Sequence, residues 1–264
     1  MSDLINVLIL AFIGSIVALI GGVVFLFKKS WSSWLSAYSV PFAAGVLLTV
    51  ALVGLLPEAF HMIGEKTFII VLISFLAAYL FESFICGIHH HEKEGGCKKY
   101  ESSVPLVIAG DTLHNFVDGV GIAAAYLINP GLGVITAIST FLHEVPHEIG
   151  DFGILLKAGW ERRRIIIVNI LSASATIIGA LVVFYFVASE QITGTLLAIS
   201  IGLFLYLGAS DFLPHIEDEK ISRNKAVLSL IIGVLIMLIA ITAVPHAHEE
   251  TDEHHTEGVT LNVK

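Results

Sequence analysis

Residues Ser103–Lys157 read SVPLVIAGDTLHNFVDGVGIAAAYLINPGLGVITAISTFLHEVPHEIGDFGILLK. Two apolar runs, 103–128 and 131–157, meet at Asn129-Pro130-Gly131, where Pro and Gly punctuate a helical pattern. Each run is long enough to cross a hydrocarbon layer of about 30 Å. Each also carries charge where lipid should forbid it. The first places Asp111, His114, Asn115 and Asp118 at i, i+3, i+4 and i+7, one helical face about 100° wide. In the second run, His143, Glu144, His147 and Asp151 share a face with Glu148 at its edge. Five carboxylates and three imidazoles therefore sit on two adjacent helices that contain no interior Lys or Arg.

A single acid at the centre of a spanning helix costs roughly 2.5–3.5 kcal/mol, so five without compensation would cost on the order of 12–17 kcal/mol. Hydrogen-bonding glue between membrane helices ordinarily uses one or two Ser, Thr or Asn residues, not this much charge. Divalent cations offset it best. Mixed imidazole nitrogen and carboxylate oxygen suits Zn²⁺, with Fe²⁺, Mn²⁺ and Cd²⁺ as alternatives. Pro146 cannot donate to the carbonyl of Leu142 and is expected to bend the second helix. Gly119 and Gly121 are expected to loosen the first just beyond Asp118.

The rest of the chain agrees with a bilayer setting. Of 264 residues, 56% are hydrophobic and only 14% charged, too few charges to cover a soluble exterior. The formal charge of −9 gathers in loops, the tail and the two acidic helices, and no basic face points to nucleic acid. Two cysteines, Cys86 and Cys97, make no disulfide framework. Residues 4–27 end in Lys28-Lys29 with no cleavage site and are expected to form a retained first span. The remaining spans are expected at 37–60, 67–88, 103–128, 131–157, 163–188, 192–213 and 226–244, eight in all.

Alternating the loops puts twelve Lys and Arg residues on one side and only Lys66 and Lys264 on the other. The positive-inside rule then places both termini outside the cytoplasm of a multi-pass protein of the cell membrane. Gly45–Glu58 (GVLLTVALVGLLPE) aligns with Gly202–His215 (GLFLYLGASDFLPH), sharing Gly45/Gly202, Leu48/Leu205 and both Leu-Pro pairs. The two segments run oppositely through the membrane, so spans 1–3 and 6–8 are expected to be inverted repeats around spans 4–5. The expected fold is all-α, an eight-helix transporter domain over 1–245 that includes a cytosolic His-rich loop, 86–102. A disordered extracytoplasmic tail over 246–264, rich in His and acids, follows it.

His143-Glu144-Val145-Pro146-His147 also satisfies H-E-x-x-H, the pattern in which two His hold zinc and Glu acts as general base. An intramembrane metalloprotease is thus an alternative, and a metal-gated sensor or channel is another. Pro146 inside the motif, the additional Glu148 and the acids of span four favour a transporter over an enzyme.

His114-Asn115-Phe116-Val117-Asp118-Gly119 and His143-Glu144-Val145-Pro146-His147-Glu148-Ile149-Gly150-Asp151-Phe152 resemble the paired signatures of the ZIP metal transporters, in the branch with HExxHE. Leu56-Pro57-Glu58-Ala59 and Ser210-Asp211-Phe212-Leu213-Pro214 extend the likeness. The resemblance implies a 3+2+3 arrangement that moves Zn²⁺ and related metals towards the cytosol, and it suggests a homodimer. It implies a binuclear centre: His114, Glu144 and His147 at a principal site, and Asn115, Asp118 and a bridging Glu144 at a second, with His143 and Glu148 alongside. Many relatives carry Glu-Pro on span six, whereas Ser172-Ala173-Ser174-Ala175-Thr176 here is uncharged. Pathway candidates are Asp111 and Asp151, with Glu58 and His61 near the outer end of span two and Asp211 and His215 near the inner end of span seven. His89, His90, His91 and Cys97 are candidate auxiliary ligands in the loop.

Overall fold

The computed structural model describes residues 2–27, 29–89, 96–187, 189–214 and 222–243, and within them all regular structure is helical. In chain order these are α1 (Ser2–Gly14), α2 (Ile20–Phe27), α3 (Lys29–Thr49), a π-helical turn (Val50–Leu55), α4 (Leu56–Ile63), α5 (Lys66–His89) and α6 (Gly96–Ile128). There follow α7 (Pro130–Lys157), α8 (Arg162–Phe186), α9 (Glu190–Tyr206), a second π turn (Leu207–Phe212) and α10 (Arg223–Thr242). Four helical stretches are long and apolar enough to cross a membrane: Tyr38–Ile63, Arg162–Phe186, Glu190–Ser210 and Arg223–Thr242. Shorter apolar helices occur at Ser2–Gly14 and Lys66–Phe81. The chain is a multi-pass helical membrane protein.

Local chemistry explains several of the ends. Asn129 caps α7, its Oδ1 accepting from the N–H of Gly131 at 2.7 Å, while Pro130 fills the first position where no N–H is needed. Ser189 caps α9 through Ile192 N at 3.2 Å. Pro57 and Pro214 account for the π turns. A proline ring clashes with the carbonyl four residues earlier and offers it no N–H, so the helix must widen or bend there. Those carbonyls belong to Val53 and Ser210, and each lies inside a π turn. Both turns occupy the sixth to eleventh positions of the two aligned segments, Gly45–Glu58 and Gly202–His215.

Gly45 and Gly202, the first matched pair, also have the same job. A methyl group on Gly45 would run into the Leu230 carbonyl of α10, and one on Gly202 would meet Val71 O and Ser74 Cβ of α5, both at 2.6 Å. Bare backbone at these points brings α3 against α10 and α9 against α5. The helix pair that carries the acids, α6 and α7, packs together; α6 also lies along α8, and α1 and α2 lie along α7.

Three expectations need correction. Span one is interrupted: residues 15–19 form turns between α1 and α2, with Ser15 Oγ donating to the carbonyls of Ala11 and Ala173, each at 3.1 Å. By contrast α6 stays helical through Gly119 and Gly121, and α7 stays helical through Pro146, whose missing N–H still denies the Leu142 carbonyl its helical partner. Gly119 is a close-packing point against the Thr176 backbone, not a loosened joint. The expected loop 86–102 is shorter, since α5 continues to His89 and α6 begins at Gly96. His90, His91, His215 and the tail 246–264 lie outside the described residues, as do the side chains of His89, Cys97 and Asp211.

Candidate metal centre

The acids and imidazoles expected to share helical faces on α6 and α7 converge across the contact between the two helices. His114 Nε2 lies 3.2 Å from His143 Nε2, 2.9 Å from Glu144 Oε1 and 3.7 Å from Asp118 Oδ2. His143 Nε2 lies 3.1 Å from Asp118 Oδ2 and 3.8 Å from Glu144 Oε1. Asp118, His143 and Glu144 are fully buried, and the His114 side chain is 11% exposed.

The protonation pattern follows from one backbone group. His143 Nδ1 stands 2.9 Å from the Ser139 carbonyl, which can only accept, so Nδ1 carries the hydrogen. Nε2 is then the ring atom turned towards His114, Asp118 and Glu144, the orientation seen where the other nitrogen of a metal-binding histidine donates to a backbone carbonyl. The carboxylates are close to both rings, yet neither oxygen of Asp118 or Glu144 has a hydrogen-bond partner. Buried carboxylates without hydrogen bonds are costly. Near-contact without donor alignment is what lone pairs converging on a common point produce.

Geometry tests this directly. Four ligand atoms about 2.0–2.1 Å from a tetrahedral zinc stand about 3.3–3.4 Å from one another. The five separations above run from 2.9 to 3.8 Å around that value, and all four atoms lie within 4.8 Å of one another. Two imidazole nitrogens and two carboxylate oxygens form a donor set that suits a divalent transition metal.

Two further groups of ligand atoms lie alongside, Asp111 with Glu144 and Glu148, and Asp111 with His147 and Asp151. Glu148 is fully buried and both its oxygens are unpartnered. This differs from the ligand division that the resemblance implied. Asp118 and His143 join His114 and Glu144, whereas His147 turns its Nδ1 towards Asp111 Oδ1 and Asp151 Oδ2, each 3.8 Å away. Asn115 is fully buried beside these groups. Its Nδ2 donates to Asp111 Oδ1 at 2.8 Å, and its Oδ1 accepts from Thr176 Oγ1 of α8 at 3.0 Å. Thr176 went unrecognised as a supporting group in the sequence; a hydroxyl at a buried position of an apolar helix was the available signal. Glu58 and His61 lie on α4 and join none of these groups, and Asp211 lies in the second π turn with its side chain outside the described residues.

The H-E-x-x-H reading loses its geometry here. That chemistry needs both His on one metal with Glu beside it as base. In this structure His143 and His147 belong to different groups, and Glu144 is itself among the converging ligands.

A helical membrane protein with His and carboxylate ligand atoms converging between two of its helices is of the metal-handling class. The family model for ZIP zinc transporters matches residues 89–241, more than half of the chain, and the chain belongs to that family. The family is one of transporters and not of catalytic enzymes. Zinc transporter foi of Drosophila melanogaster is 36% identical over 137 residues, covering 51% of this chain and 19% of that protein. Zinc transporter ZIP10 of Danio rerio is 40% identical over 125 residues, 45% of this chain and 14% of the relative. Human zinc transporter ZIP4 is 38% identical over 109 residues, 41% and 17%. The chain spans less than a fifth of the length of these relatives.

Proposed function

We propose that this protein carries divalent transition metal, Zn²⁺ foremost, across the cell membrane into the cytoplasm, with the ion held between α6 and α7. The observation that carries the reading is the convergence of His114, Asp118, His143 and Glu144. Two imidazole nitrogens and two unpartnered carboxylates meet in helix interiors that have no Lys or Arg to balance them. The relatives named above are zinc transporters, which supports zinc; Fe²⁺, Mn²⁺ and Cd²⁺ share the donor chemistry. Asp111, Glu144 and Glu148 supply a second, all-oxygen position, and Glu144 bridges the two in a binuclear centre.

The proposed architecture is eight crossings arranged 3+2+3, with α1–α2, α3–α4, α5, α6, α7, α8, α9 and α10 as the spans. Matching π turns and matching close-contact glycines support the inverted repeat. Helix pairing supports it as well. Exchanging spans 1–3 with 6–8, and four with five, turns the α3–α10 contact into α9–α5 and the α6–α8 contact into α7–α1, and all four contacts occur. Both termini then lie outside the cytoplasm, and the Lys157 end of α7 faces inward. The protein works as a homodimer in this reading. Transport proceeds by alternating access, one repeat moving against the other around the centre.

Purified protein in liposomes loaded with a zinc-sensitive dye tests the proposal. Zn²⁺ influx that disappears in His114→Ala is expected. Cleavage of a membrane substrate without influx, or Zn²⁺ binding with neither, would overturn it in favour of a protease or a sensor.

A further inference from the structure

The three groups of ligand atoms along α6 and α7 overlap in a regular way. Glu144 belongs to the first and second, and Asp111 belongs to the second and third. Asp111 is buried, 4% exposed, and Asn115 holds its Oδ1 with a 2.8 Å hydrogen bond, so its position is set by α6 itself. On one side it converges with Glu144 and Glu148, and Glu148 has no exposed surface and no hydrogen bond to either oxygen. Three buried carboxylates so close together are costly while ionised, and a bound divalent cation is one group that offsets that cost.

On its other side Asp111 Oδ1 lies 3.8 Å from His147 Nδ1, which lies 3.8 Å from Asp151 Oδ2. That nitrogen is buried and has no hydrogen-bond partner. His147 and Asp151 are four residues apart on α7, so one helical face presents both. Solvent access rises from the second group to the third. Glu144 and Glu148 are fully buried, whereas the side chains of Asp151 and His147 are 13% and 19% exposed.

From this overlap we infer that Asp111, His147 and Asp151 form a further divalent-metal position at the inner mouth of the protein. Asp111 is the ligand that hands the ion to it from the buried centre. The inference rests on the transport reading above and adds a last station to it. An ion leaving Glu144 and Glu148 keeps Asp111 while it gains an imidazole and a second carboxylate. It therefore never gives up all its ligands in one step. The position has mixed nitrogen and oxygen donors, suited to the same class of divalent transition metal.

The test uses the full chain and Cd²⁺ as probe, comparing the number of ions bound in detergent with influx into liposomes. Because each variant is compared with the unsubstituted chain, ions held by the His-rich loop and tail cancel. Asp151→Asn is expected to bind about one Cd²⁺ fewer, keep the affinity of the remaining ions, and slow influx at saturating metal by at least about tenfold. Asp151→His, which restores a ligand but not a carboxylate, is expected to recover the ion and most of the rate. Asp111→Asn, which keeps the side chain's shape, is expected to slow influx more than Asp151→Asn, since it touches two positions. An unchanged ion count in Asp151→Asn overturns the inference, as does a loss that Asp151→His fails to recover. His114→Ala separates the two levels: if it abolishes influx while Asp151→Asn behaves like the unsubstituted chain, only the inner position is refuted. Influx that survives His114→Ala refutes the transport reading itself.

Discussion

His114 Nε2 and His143 Nε2 face each other at 3.2 Å across the contact between α6 and α7, and the Ser139 carbonyl behind His143 keeps its hydrogen on the far nitrogen. The near nitrogen is thus the one turned towards the converging ligand atoms. His143→Ala is expected to weaken Zn²⁺ binding by more than the ~10–100-fold typical of losing a supporting group, because it removes a ligand outright. Thr176→Val removes only the donor to Asn115 Oδ1, and a drop of ~10-fold in affinity or rate is expected. Titration of purified protein with a competing chelator reads both. Equal effects of the two substitutions would contradict this ranking.

Glu144 separates the transporter from the protease most sharply. A general base beside zinc can be replaced without losing the metal, because it is not a ligand. Here Glu144 Oε1 lies 2.9 Å from His114 Nε2 and within the ligand group. Glu144→Gln should therefore lower Zn²⁺ affinity by at least about tenfold. Full zinc occupancy in that variant would return Glu144 to the role of a base.

Protons and metal compete for the same lone pairs. Binding requires an unprotonated Nε2 on both His114 and His143 and ionised Asp118 and Glu144, so acid must weaken it. Zn²⁺ affinity is expected to fall steadily from about pH 7.5 to about pH 5.5, with protons released on binding at the lower end. Calorimetry in two buffers of different ionisation enthalpy counts those protons. An affinity that stays flat across the range would mean that the imidazoles are not ligands.

The equivalence of Gly45 and Gly202 makes a stability prediction. Gly45→Ala and Gly202→Ala each force a methyl into the backbone of a neighbouring helix, at a cost of about 1–3 kcal/mol. Gly110→Ala meets nothing within 4 Å and is expected to be neutral or mildly stabilising, by up to about 1 kcal/mol. Thermal unfolding in detergent, followed by loss of monodisperse protein, distinguishes them. Comparable behaviour of all three would show that these glycines do not set the helix spacing.

Apolar run length and the Asn129-Pro130-Gly131 punctuation located the two acid-bearing helices: 103–128 shares its end at Ile128 with α6, which begins earlier at Gly96, and 131–157 starts one residue after α7 does at Pro130. Hydrocarbon forces long apolar runs and makes a buried acid conspicuous, so both features are written into the order of residues. The matched Gly45 and Gly202 and the two Leu-Pro pairs were legible as well, because a proline distorts its own helix and a glycine marks where another helix can come close. The break after Gly14 was not. Nothing local marks residues 15–19 as turns, and Ser15 reaches a carbonyl on α8, Ala173, that lies far along the chain.

Residue order therefore determined which side chains were available to a metal: the imidazoles and carboxylates of two neighbouring helices with no opposing cation. Tertiary structure decided how they divide. Whether His143 meets Asp118 or His147 depends on the rotation and depth of α7 against α6, and residues distant in the chain, such as Thr176 and Ser15, help to hold the elements around that contact. A helix defines only its own faces; the angle and register at which two faces meet belong to the packing of the whole bundle.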